Sequence, residues 1–373
     1  MATVAILGAG GTIGPAIVRD LAESEEVDAL RALDLDGKRA AAVAVPPKTT
    51  SASVDATDPP SLAAALEGAD VLVNAASYRI NLAAMDAALA AGCHYVDLGG
   101  LYHVTKQQLE RDADFAAADC LAVLGAGAGP GKTNAMAMLA AREVGLEVEE
   151  VRCASAGLDE DPPAGASFPY ALATLLDEVT VPPMVVRHGE AIEVEPLSDG
   201  GEIEFPPPIG RRSSIRTLHS EVLTLPESLG ARAADFRLSL GPGVLDKLLE
   251  LRERAPEELA ALRTVPPSAR TWSAQHVLVR GADSEAIVTS VTPPHDAWGL
   301  GGGVVSTGSV GAATARMLLR GALDVRGALP PERCLPPDAL FAELERVGTT
   351  LSVQNRAVDH PRSGSADLAA AAA

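Results

Sequence analysis

The side chains that could do chemistry fall into two groups. One contains Tyr78, Asp97, Tyr102 and His103; the other contains Arg211, Arg212, His219, Ser220, Glu221 and Thr224. A histidine titrates near neutral pH, so His219 can accept a proton or, once charged, bind a carboxylate. Glu221, two residues further on, can hold an amino group. Arg211 and Arg212 suit bidentate carboxylate binding, and equally suit a solvated surface. Asp97 can hold an ammonium or cap the loop that follows it. Tyr78 can line a pocket or merely pack. Tyr102 and His103 follow Asp97 on a glycine-rich stretch, where His103 could relay a proton or serve the fold alone. Ser220 beside His219 suggests a hydrolase triad. Neighbouring strand residues face opposite ways, however, and no G-x-S-x-G elbow is present.

A glycine loop supplies the context these groups need. Gly8, Gly10, Gly11, Thr12, Ile13 and Gly14 lie between an apolar run, Thr3 to Leu7, and a helical pattern from Ile13 to Leu21. Strand, glycine loop and helix in that order let backbone N–H groups and a helix N-terminus meet a pyrophosphate. The strict G-x-G-x-x-G is not met, because Ile13 stands at its last glycine; the pattern is G-x-x-G-x-x-G. Asp34 follows Gly14 by 20 residues, where a carboxylate receives the adenosine ribose hydroxyls and repels a 2′-phosphate. Leu35 comes next, so NAD is favoured, while Lys38 and Arg39 keep NADP open. Asp55 and Ala56 mark the adenine edge, and Asn74, Ala75 and Ala76 the strand end that the cofactor crosses; Gly125 closes the set. A rival phosphate motif, Ala126 to Thr133 with Gly131-Lys132-Thr133, fits a loose Walker pattern. It lacks a following strand that ends in a magnesium-binding aspartate.

Alternating strand and helix patterns must position these groups. Strand-like runs at Thr3–Leu7, Ala29–Leu33, Ser51–Val54, Val71–Val73, Tyr95–Leu98 and Leu121–Leu124 alternate with helices at Ile13–Leu21, Ser61–Leu66, Asn81–Ala91 and Val104–Ala118. The class is α/β, a Rossmann-type doubly wound parallel sheet with a second mixed α+β domain. Residues 1–125 form the dinucleotide domain and 126–300 the substrate and dimerisation domain. Residues 301–350 hold C-terminal helices that return to the first domain, and 359–373 a disordered tail. In the second domain Met184–Arg187, Ala191–Val194 and Glu202–Phe205 read as strands, Leu245–Arg263 as a helix, and His276–Val279 with Ala286–Ser290 as a hairpin.

Composition excludes several function classes. The 373 residues carry a net charge of −20, which repels nucleic acid and anionic membranes. Aromatics are 3%, so Ala, Val, Leu and Ile build the core. The four cysteines, Cys93, Cys120, Cys153 and Cys334, form no C-x-x-C pair, so a metal site is not expected and a reducing compartment fits. No basic leader and no apolar run of ~18 residues is seen, so a soluble cytoplasmic protein is expected.

Specific motifs go further. The glycine loop, His94 to Thr105, Gly125 to Asn134, Leu218-His219-Ser220-Glu221 with Thr224-Leu225-Pro226, Thr307-Gly308 to Gly321, and Pro330-Pro331-Glu332 span the chain except its tail. In these the chain resembles the saccharopine dehydrogenase family, and within it the L-lysine 6-dehydrogenase branch. It departs at Lys132, where the family often has an aliphatic residue, and at Val310, near which the family has a proline. The resemblance implies a homodimer of two-domain subunits that oxidises a C–N bond of a small-molecule amino acid, or runs the reverse reduction. With it, the catalytic candidates are Asp97, His219, Glu221, Tyr78 and Tyr102, and the substrate-contact candidates are Arg211, Arg212, His103 and Thr224. Oxidative deamination of the L-lysine ε-amine leads. A condensing reductase of the saccharopine or carboxynorspermidine type, a non-catalytic NAD-binding sensor and a P-loop protein remain as alternatives.

Overall fold

A computed structural model describes residues 1–358 except 146, 166, 242, 255–257, 260, 261 and 263. The predicted tail at 359–373 therefore lies outside the described residues, as does part of the Leu245–Arg263 segment.

The first sheet is built from short Val-, Ile-, Leu- and Ala-rich runs buried on both faces. It contains β1 (Thr3–Leu7), β2 (Ala29–Asp34), β3 (Thr49–Ser53), β4 (Val71–Asn74), β5 (His94–Asp97), β6 (Leu121–Val123) and a late β15 (Gly327–Leu329). The strands are parallel, in the order β15-β6-β5-β4-β1-β2-β3. The order reverses at β1, which opens a crevice at the carboxyl ends where such sheets bind ligands. The helices are α1 (Gly14–Ala22), α2 (Gly37–Val43), α3 (Pro59–Leu66), α4 (Asn81–Ala91), α5 (Leu101–Leu109) and α6 (Asp112–Ala117). Two core layers flank the sheet: Leu62, Met85, Tyr95 and Phe115 on one side, Ile17, Leu21 and Val310 on the other. The predicted single helix over 104–118 is two helices, α5 and α6. It begins earlier than expected, so Tyr102 and His103 are helical, not in a loop.

Helix α7 (Lys132–Val144) crosses to a nine-stranded mixed sheet: β7 (Val148–Asp159), β8 (Met184–Arg187), β9 (Glu190–Glu193), β10 (Asp199–Glu204), β11 (Arg211–Arg216), β12 (Ala233–Ser239), β13 (Thr271–Gly281), β14 (Ser284–Thr292) and β16 (Thr350–Ala357). Its main path is β10-β11-β12-β7-β13-β14-β16; β12 and β7 are parallel, and β8 and β9 attach beside β12. Helices α8 (Leu172–Thr180), α9 (Glu221–Leu229) and α10 (Val244–Arg252) join this unit. The long α11 (Gly302–Leu319) then packs on α1. A Cβ at Gly308 would stand 2.7 Å from Ala16 Cβ, so glycine is needed for the two helices to meet. The buried Arg316 ties them, with Asp20 at 2.6 Å and Glu343 at 2.8 Å. Glu343 lies on α13 (Pro337–Leu344), which follows the short α12 (Pro331–Cys334). No helix among the described residues is long and apolar enough to cross a membrane.

Candidate functional site

The glycine loop closes tightly against its neighbours. Gly8 has φ +75°, and a Cβ there would lie 2.7 Å from the Ala76 backbone, so the ends of β1 and β4 can touch only at glycine. No side chain caps the α1 N-terminus at Ile13, so the positive end of the helix dipole faces the glycine loop, although Pro15 has no N–H and Ala16 N is bonded to Ile13 O. Asp34 Oδ2 accepts from Gly10 N at 3.0 Å, and Oδ1 accepts from Asp36 N at 3.0 Å. The carboxylate thus fixes the loop and keeps lone pairs for hydroxyl donors. Arg39 lies against Gly10, and Lys38 is exposed nearby. Asp55 is at the surface, where hydrogen bonds from Thr57 hold its carboxyl below the usual range. Ala56 and Ala75 are half-buried, and Asn74 Oδ1 accepts from Ala76 N at 3.1 Å to shape the turn after β4. A cradle that a Cβ would fill, an uncapped helix and the Asp34 carboxylate beside the glycine loop fit a nicotinamide dinucleotide.

Beyond β5 and β6 the geometry corrects the sequence reading. Asp97 is completely buried; it accepts from Gly99 N, Gly125 N, Gln108 and Asn81. Burial raises its pKa against those hydrogen bonds. It pins the two strand-end loops together, and these four donors occupy its oxygens. Tyr102 is buried beside it, while His103 is exposed on the outer side of α5. The Gly127, Gly131, Lys132 and Thr133 N–H groups all bond within their own turn. Lys132 Nζ points inward to Ser306 and Thr292. No phosphate cradle is left, so the Walker-like reading fails.

The chemical cluster lies one step further out. His219 and Ser220 precede α9 rather than sitting in a strand, and Glu221 is its first residue. His219 stacks on Phe236, with ring centroids 3.4 Å apart. Its Nδ1 lies 3.3 Å from Glu221 Oε2, and its Nε2 lies 3.8 Å from Glu178 Oε1 and makes no hydrogen bond. Thr133 Oγ1 donates to Glu221 Oε1 at 2.8 Å. His219, Glu178 and Glu221 are 5%, 2% and 2% exposed. Burial opposes a charge on His219, but the two glutamates outweigh it and its pKa rises to about 9. A Cβ on Gly129, in the loop after β6, would meet Glu221 at 3.4 Å, which places the cluster at the carboxyl ends of the first sheet.

Tyr78, after β4, joins the cluster through α8. Its hydroxyl donates to Asp177 Oδ2 at 2.6 Å, and Arg79 pairs with the same oxygen. Burial and then Asp177 push its pKa to about 12, so it stays a donor and accepts no proton. Arg211 and Arg212 do not join. They sit on the exposed β11, where Arg211 faces Glu202 and Glu204. Thr224 bonds Glu332 on α12, away from His219. Tyr170 lies in a segment that the family shares but was given no role, and Glu178 was missed, because its partner His219 lies about 40 residues downstream.

Comparison with known proteins agrees with this geometry. Residues 4–123 match the saccharopine dehydrogenase NADP-binding domain. The whole chain has the fold of apo saccharopine dehydrogenase (L-Glu forming) from Saccharomyces cerevisiae, with TM-score 0.68, 14% identity, and 95% of this chain and 100% of that one covered. It likewise resembles the homospermidine synthase of Legionella pneumophila solved with NAD, with TM-score 0.71, 14% identity, and 98% and 94% covered. Residues 4–123 thus match a saccharopine dehydrogenase-type NADP-binding domain, and the fold of the whole chain is shared with these two solved structures.

Proposed function

We propose that this protein oxidises a carbon bearing an amino group, with the ε-amine of L-lysine as the leading substrate. The observation that carries this reading is the buried Glu178–His219–Glu221 group beside the loop after β6. Bound nicotinamide supplies the electron acceptor. The protein must orient the amine and take its proton, because an ammonium has no lone pair to assist oxidation. Two carboxylates and one imidazolium carry a net charge of −1, which favours a cationic head group. Above about pH 9 His219 is neutral; Nδ1–H then faces Glu221, and the buried, unpartnered Nε2 is the nitrogen that would take the amine proton once substrate packs against it. Tyr78, protonated at every working pH, donates to Asp177, one residue from Glu178.

A second reading has a specific support. Arg211 and Arg212 are turned away, and Arg79 is already paired with Asp177. No described cation there faces His219 to grip a substrate carboxylate, which favours a diamine over an amino acid as the donor.

The test is a screen of diamino acids and diamines at alkaline pH with NAD and NADP, followed by absorbance of the reduced nicotinamide. Amine-dependent NADH formation is expected. Tight NAD binding without turnover would leave a sensor instead, and NADPH consumption only with aldehyde and amine together would select the condensing reaction. Asp34 also makes NAD the expected cofactor over NADP. D34N should cut the NAD-to-NADP ratio of kcat/KM about tenfold, equivalent to ~1.4 kcal/mol. Assembly as a homodimer belongs to the same proposal. Strand β16 ends the second sheet with Leu351 and Val353 exposed, an edge of the kind that pairing between copies covers. Light scattering tests it.

A further inference from the structure

Helix α8 presents two consecutive carboxylates to opposite sides of the cleft. Asp177 holds Tyr78 and Arg79 on the nucleotide-binding domain. Glu178 turns inward: its Oε2 accepts from Tyr170 Oη at 2.6 Å, and its Oε1 stands 3.8 Å from His219 Nε2. We propose that Glu178, fixed by Tyr170, is a positioning residue that steadies the charged form of His219 from its buried Nε2 side while Glu221 holds Nδ1.

The inference rests on reading His219 as the proton acceptor. A buried carboxylate needs a cation or several donors. Tyr170 supplies one donor, and burial followed by the nearby Glu178 charge keeps its phenol protonated. The described cation that faces Glu178 is His219. At 3.8 Å the pair has Coulombic attraction without a hydrogen bond. Glu178 therefore sets the charge without occupying the nitrogen that must exchange a proton. Every element around the ring is accounted for. Helix α9 contributes Glu221, α7 contributes Thr133 through Glu221, and β12 contributes Phe236. Strand β7 contributes Cys153, whose thiol is kept neutral by burial and then by the nearby glutamates and Asp235. Asp177, on α8, is engaged with Tyr78 and Arg79. Glu221 holds the ring from Nδ1; Glu178 is the second anion, and it comes from a helix seated on the cofactor side.

The test is the histidine titration of the resting protein by NMR, with the His219 signal assigned from H219N. The parent midpoint should lie near pH 9. E178Q should move it toward the ordinary histidine value, Y170F less far in the same direction, and E178D should keep most of it. The acid limb of kcat/KM, where His219 loses its ability to accept a proton, should move with the midpoint while KM for the nucleotide stays unchanged. A folded E178Q that titrates as the parent does overturns the proposal. If E178Q fails to fold, an unmoved midpoint in Y170F overturns it instead. The titration needs no substrate, so it also separates the two readings. A moved midpoint in a protein that oxidises no amine sinks the activity and not the positioning role; turnover with an unmoved midpoint does the reverse.

Discussion

Two neighbouring residues at the start of α7 lead into two buried polar sites that behave in opposite ways. Lys132, with 0% exposure, reaches Ser306 Oγ at 2.7 Å and Thr292 Oγ1 at 3.2 Å, and Thr292 in turn bonds Thr349. Thr133 reaches Glu221 and through it His219. The first site offers an ammonium only hydroxyls, so burial alone acts and the pKa falls to about 7. The second offers two carboxylates, which overcome burial and raise His219 to about 9. Burial disfavours charge in both places; an anionic partner decides which cation keeps its proton. The His219 side joins α8, α9 and β12, and the Lys132 side ties α7 to β14 and α11.

The largest effect that would break this contrast is catalytic. H219N should lower kcat/KM by 10²–10⁴-fold, the usual contribution of a positioned acid–base group. K132M should leave kcat/KM within a few-fold, because Lys132 faces away from the cleft. Steady-state rates of both variants at pH 9.5 check this. A K132M loss as large as that of H219N would place the lysine in the chemistry.

The next effect is on stability against pH, where the two groups have opposite signs. His219 is raised above its unfolded value, so the folded state binds the extra proton. Its contribution is present below about pH 6.5 and is lost as pH rises through about 9, about 3 kcal/mol in all. Lys132 is depressed, so the unfolded state binds the extra proton. Its penalty is full below about pH 7 and disappears as pH rises to 10.5, about 5 kcal/mol in all. Between pH 7 and 9 the two slopes oppose each other. Urea denaturation across that range should show that K132M loses stability with rising pH relative to the parent, and that H219N gains it. Parallel curves for all three proteins would refute the assignment.

Legibility in the sequence followed the range of the interactions. The parallel sheet was readable because buried strands and capped helices are local patterns; Gly92 ending α4 is one instance. The late β15 was not, because three residues beside β6 carry no periodicity of their own. In the site, the glycine loop, Asp34, His219 and Glu221 stood out as motifs. Asp97 was placed correctly at a strand end and misread in role, since Gln108 and Asn81, which cover it, come from helices that only folding brings over. Arg211 looked like a carboxylate clamp until the β10–β11 pairing set Glu202 and Glu204 against it. Lys132 matched a phosphate-loop spacing, but spacing does not fix which way a side chain points.

The smallest predicted effect sharpens the comparison most, because one hydroxyl is removed on each side. T133V keeps the shape of the threonine but takes away the donor to Glu221 Oε1. Hydrogen bonds to charged groups are worth about 1.5–3 kcal/mol. The glutamate should therefore hold its charge less firmly, the His219 midpoint should move down, and kcat/KM at pH 8 should change by about tenfold; T133S should restore the parent values. S306A removes the closer hydroxyl from Lys132. A neutral or weakly charged amine loses only an ordinary hydrogen bond there, about 1 kcal/mol, which denaturation reads as stability alone. If S306A moved the His219 titration, or T133V changed only stability, the two sites would be one connected network and the contrast between them would collapse.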